Sequence, residues 1–94
     1  MSSTSEPEHL SNHHRNTLRQ LFQHPVSHNI EWRSALSLLD AVGSTAERHD
    51  GKVAVTLGGE TRLFERPSDK EIDVQMVLDL RQMLSDAGYR PDVS

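Results

Sequence analysis

Residues 44–66 read STAERHDGKVAVTLGGETRLFER, and the alternation within this stretch decides the fold. Val53, Val55 and Leu57 alternate with Lys52, Ala54 and Thr56. That period of two places one set of side chains on a buried face and the other on an open one. Asp50-Gly51 and Gly58-Gly59 bracket the run, and both dipeptides suit two-residue hairpin turns, whose central residues take positive φ. Strands are therefore expected over Ser44–His49, Lys52–Leu57 and Glu60–Arg66, forming a three-stranded antiparallel meander.

Helical patterns flank the meander. Upstream, Trp32, Ala35, Leu36, Leu39 and Val42 share one helical face, and Gly43 stands where a helix takes a left-handed terminating residue. Before that, Ser11 can cap a first helix reaching about Gln23, with His14, Leu18, Leu21 and Phe22 on a narrow stripe. Pro25 stops that helix. Downstream, Pro67 to Lys70 form a loop. Asp73 can cap a last helix whose Val74, Val77, Leu80, Leu84 and Ala87 share a face, with Gly88 as its end. The expected class is α+β in the order α-α-β-β-β-α. Two helices pack on one face of the meander, with an extra N-terminal helix. Residues 1–9 read as a disordered leader, 10–90 as one domain and 91–94 as a tail.

Composition narrows the function classes. The apolar fraction is 34%, and with five glycines it stays below the ~45–50% usual for globular domains. With 94 residues there is room for one modest core and none for a second domain. No stretch approaches the ~20 apolar residues of a membrane span, and the N-terminus resembles no secretory signal. A cytoplasmic location without membrane contact is expected. The absence of cysteine excludes disulfides, thiolate metal sites and a cysteine nucleophile. The net charge of −4 argues mildly against a nucleic-acid binder, and no DNA partner is expected, yet the charge is unevenly spread. Residues 1–9 carry −2 and residues 71–94 carry −3, whereas 10–70 carry eight basic and seven acidic groups. Phosphate contact would have to come from this middle segment.

The run from Ile30 to Tyr89 resembles the HicA toxin family. The resemblance is carried by Trp32-x-x-Ala35-Leu36-x-Leu38-Leu39 with Val42-Gly43, by Asp50-Gly51, by Lys70-Glu71-Ile72, and by Leu84-x-x-Ala87-Gly88-Tyr89. It implies a double-stranded-RNA-binding-domain-like fold, mRNA cleavage without a metal, and silencing by a HicB-type antitoxin. It also implies a catalytic histidine in a Gly-Ser-His motif after the first hairpin glycine. Here that motif reads Gly51-Lys52-Val53. A second histidine, three residues before Lys70, is replaced by Pro67.

The residues themselves offer one substitute base, His49, which a two-residue Asp50-Gly51 turn would pair with Lys52 on the same face. The alternative is an ordinary solvated histidine at a hairpin end. Arg48, Lys52, Arg62, Arg66 and Lys70 are the candidate RNA-binding cations. Their meaning depends on the second hairpin. A two-residue Gly58-Gly59 turn puts Phe64 in the core and the arginines at the rim. A bulged three-residue loop puts Phe64, Arg62 and Arg66 on the open face with Lys52 and His49, as a basic RNA-stacking surface. Burial of the larger aromatic favours the first. The five histidines between His9 and His28 lack a fixed three- or four-ligand arrangement, so no metal is expected, and nothing indicates a cofactor.

Three functions follow. The first is a HicA-like module that binds RNA or an antitoxin without the usual histidine. The second is an mRNA-cleaving ribonuclease using His49. The third is a protein-interaction domain with no RNA role, working through its acidic last helix and an exposed strand edge.

Overall fold

A computed structural model describes residues 10–91; the expected leader and the last three residues of the expected tail lie outside the described residues. The order is α1 (Asn12–Leu21), α2 (Trp32–Val42), β1 (Ser44–Glu47), β2 (Lys52–Leu57), β3 (Glu60–Glu65) and α3 (Val74–Asp86). The strands form one antiparallel sheet in the order β1-β2-β3. This is the expected α-α-β-β-β-α fold.

Gly58 and Gly59 take φ values of 55° and 93°, so the second hairpin turns on two residues. Val53 therefore faces Phe64, Val55 faces Arg62 and Leu57 faces Glu60. Val53, Val55, Leu57 and Phe64 join one buried cluster with Ala35, Leu38 and Leu39 of α2 and with Val77, Leu80 and Leu84 of α3. Each such side chain contributes about 1.5–3 kcal/mol when fully buried.

The first hairpin departs from expectation. Ala46 pairs with Ala54 and Glu47 with Val53, and the Arg48 amide donates to the Lys52 carbonyl at 2.8 Å. Arg48, not His49, thus stands opposite Lys52. The Gly51 amide donates to the Arg48 carbonyl at 3.2 Å, and only Gly51 takes positive φ, at 84°. The loop therefore has three residues, a turn closed by a left-handed glycine. Asp50 stays out of the left-handed region and instead accepts from the Lys52 amide at 3.2 Å through its side chain. β1 ends at Glu47, two residues earlier than expected, and its faces are exchanged relative to a two-residue turn.

The sequence patterns for the helices named too few core residues. α2 buries Leu38 beside Ala35 and Leu39, whereas Trp32, Leu36 and Val42 are half-buried. α1 lies over α2 and α3 rather than on the sheet, and covers α2 from the far side. It buries Thr17, Leu18 and Leu21, and the His14 Nε2 lies 2.9 Å from Ser37 Oγ of α2. From α3, Arg81 donates to the carbonyls of Leu21 at 2.8 Å and Gln23 at 3.0 Å, closing the C-terminal end of α1. α3 buries Met83, and its expected Val74 is exposed.

Three of the expected helix signals hold in detail. Ser11 accepts from the His14 amide at 3.2 Å and Asp73 from the Met76 amide at 2.9 Å. Gly88, at φ 91°, ends α3 with paired bonds from Gly88 to Ser85 and from Tyr89 to Leu84. Gly43 does something else. Its φ is −156°, so it is no left-handed terminator, but a Cβ there would collide with the Thr56 carbonyl and Leu57. It is the one residue small enough for the chain to leave α2 against β2.

Two predictions follow from this packing. Phe64→Ala should cost about 3–4 kcal/mol and Leu63→Ala under about 0.5 kcal/mol in urea unfolding, the reverse of a bulged register. Gly43→Ala should cost about 1–3 kcal/mol in the same measurement, although its φ suits any residue.

Candidate functional site

The five candidate cations divide between opposite surfaces. On the open face of the sheet, the cross-strand rows are Ser44–Thr56–Thr61, then Ala46–Ala54–Leu63, then Arg48–Lys52–Glu65. Only Arg48 and Lys52 of the set lie here, next to a carboxylate. Arg62 has the parity of Val55, at the helix-side rim, with its Nε 3.4 Å from Glu60. Arg66 reaches Glu47 at 2.8 Å, Lys70 reaches Glu31 at 3.6 Å, and Arg48 lies 4.0 Å from Asp50. Four of the five thus have a carboxylate within ion-pair range, and no continuous basic face forms.

His49 is exposed in the three-residue loop and has lost the expected partnership with Lys52. The two histidine positions implied by the HicA resemblance fall elsewhere. Val53 is 1% exposed, on the helix-covered face, and Pro67 is half-buried after β3. Even a histidine at position 53 would point into the core. Phe64 is buried and cannot stack a base. Leu63 stands on the open face instead, 51% exposed.

A different feature lies on the other side of β3. A groove of about 510 Å³ runs between the end of β3, the loop after it and the flank of α3. Glu65, Asp69, Glu71, Asp73 and Asp79 line it, with Arg66 the one cation among its walls. Met76 contributes an apolar floor, and Asp73 is also the cap of α3. The sequence did not announce this groove, because its carboxylates come from a strand, a loop and a helix. The one signal available was the excess of acid after residue 70.

Among the described residues no group of three or more histidines and carboxylates is placed to hold a metal ion, and no helix is long and apolar enough to cross a membrane. No family model, curated protein or solved structure matches this chain.

The rim ion pairs are more than one-third exposed, and their electrostatic worth is small. Glu47→Gln should accordingly shift unfolding by less than about 1 kcal/mol, with little dependence on salt, in urea titrations at two ionic strengths.

Proposed function

We propose that this protein is a HicA-like module that binds a protein partner of the antitoxin type and does not cleave RNA. The observation that carries the reading is the burial of Val53, at 1% exposure, where the resemblance expects a catalytic histidine. General acid–base chemistry needs a group within reach of substrate, and a core-facing position has none. A protein partner is favoured over RNA because the candidate cations are dispersed and paired. Phosphate binding gains its strength from several uncompensated cations acting along one surface. Here Arg62 and Arg66 flank the covered side while Arg48 and Lys52 occupy the open one.

The ribonuclease reading keeps one observation in its favour, the exposure of His49 beside Arg48. The two readings separate in a cleavage assay. Purified protein should leave an mRNA transcript intact, and His49→Ala should behave identically. Cleavage abolished by His49→Ala would overturn the proposal. So would saturable RNA binding at low salt that weakens steeply as salt rises. Val53→His should create no nuclease and should destabilise the fold by about 2–3 kcal/mol, since it places an imidazole in an apolar site. A small protein encoded in the neighbouring reading frame should co-purify in a stoichiometric complex when the two are coexpressed.

A further inference from the structure

We infer that the open edge of β3 and the acidic groove beside it form one docking site, taking an extended basic segment of a partner protein as a fourth strand. This rests on the protein-binding reading and names its surface and the chemistry of its ligand.

β3 is an edge of the sheet. Its two-residue turn makes Leu57 and Glu60 a hydrogen-bonded pair, so Glu60, Arg62 and Phe64 spend their backbone groups on β2. Thr61, Leu63 and Glu65 turn theirs outward, and no hydrogen bond to those groups is found among the described residues. Three outward-facing residues are enough to template a short added strand. Charge on this edge is partly self-cancelling, because Glu60 and Arg62 pair with each other at 3.4 Å. The centre of the edge is held by Leu63, 51% exposed, where a protected edge would carry a lysine.

Pleating dictates what the added strand must look like. Its side chains opposite Thr61, Leu63 and Glu65 lie over the open face and meet the apolar Leu63. The alternate set points to the helix side, toward the groove of about 510 Å³, which Asp69, Glu71, Asp73 and Asp79 line from the loop and α3. Arg66, the single cation on those walls, is already engaged by Glu47 at 2.8 Å. The complementary segment therefore alternates basic with apolar or small residues. Edge geometry selects an extended segment, and groove charge selects a basic one.

The probes are fluorescein-labelled peptides of about ten residues, one alternating lysine with valine and one alternating glutamate with valine. The lysine peptide should bind saturably in fluorescence anisotropy, and hydrogen exchange should slow at the Thr61, Leu63 and Glu65 amides. Leu63→Pro removes one outward N–H while sparing the β2 ladder, and a proline is tolerated on that side of an edge strand. Provided its circular dichroism and melting match the parent, it should weaken the peptide by about tenfold. Asp69→Lys combined with Asp79→Lys should weaken it further and admit the glutamate peptide. Equal affinity for the parent and Leu63→Pro would overturn strand addition, since charge alone would then account for binding. Failure of the lysine peptide to bind would overturn the site as a whole. In either case the proposed function stands or falls separately, on the RNA and coexpression tests.

Discussion

Two backbone hydrogen bonds between loops organise this molecule. The Ile72 amide donates to the Ile30 carbonyl and the Trp32 amide to the Lys70 carbonyl, both at 2.9 Å, around an antiparallel bridge between Glu31 and Glu71. Each residue named lies just before, or at, the first residue of α2 or α3. The bridge therefore brings together the starts of α2 and α3, two helices separated in the chain by the whole sheet. Ile30 and Ile72 are buried beneath it, at 1% and 4% exposure. At the other end Tyr89 Oη donates to the Val42 carbonyl at 3.3 Å, tying the two exits together. A pair of helices pinned at both ends can present a fixed apolar surface to β2. Without that, the burial of Val53, Val55 and Leu57 would have no defined partner.

The same pinning explains why α2 needs more apolar residues than one stripe. It has the sheet beneath it and α1 across its back. Leu38 and Leu39 are both fully buried, on a helix arc wider than a surface helix shows. α1 itself is a mostly polar helix, held by Leu18 and Leu21 and by the Arg81 guanidinium, which also sits 5.9 Å from the Phe22 ring centroid. Its attachment depends on α3 as much as on its own sequence. The 94-residue chain thus assembles a core from three helices, although its apolar fraction is low.

How far the sequence was legible can be traced residue by residue. Period-two alternation in β2 and the paired glycines at 58 and 59 were sufficient to give the sheet and the β2–β3 register. Aspartate-glycine at 50 and 51 was not, because the side chain of Asp50 can serve a turn by accepting the Lys52 amide without entering the left-handed region. Glycine before β1 was misread for a related reason. Gly88 is required by its positive φ, Gly43 by the proximity of a carbonyl on another strand, and only the first leaves a local signature. Leu10, Ile30 and Ile72 belong to the core but stand outside any periodic run, so no local pattern marks them. The acidic groove was missed because long-range folding assembles it.

One register links the fold to its proposed use. The parity that makes Val53, Val55 and Leu57 the floor of the core also assigns Phe64 to that floor and Leu63 to the outside. A catalytic group at position 53 is incompatible with this arrangement, since moving it to the open face means shifting β2 by one residue and exposing all three apolar side chains. Such a shift would cost several times the roughly 1.5–3 kcal/mol of a single buried aliphatic. The same parity leaves the outward backbone groups of β3 on the edge beside the acidic groove, while Arg62 and Arg66 stay at the helix-side rim with their own partners. What the β3 edge can offer a second molecule is therefore a line of outward backbone groups beside a mostly acidic groove. On the proposed reading, that edge suits a basic polypeptide strand better than a phosphate backbone.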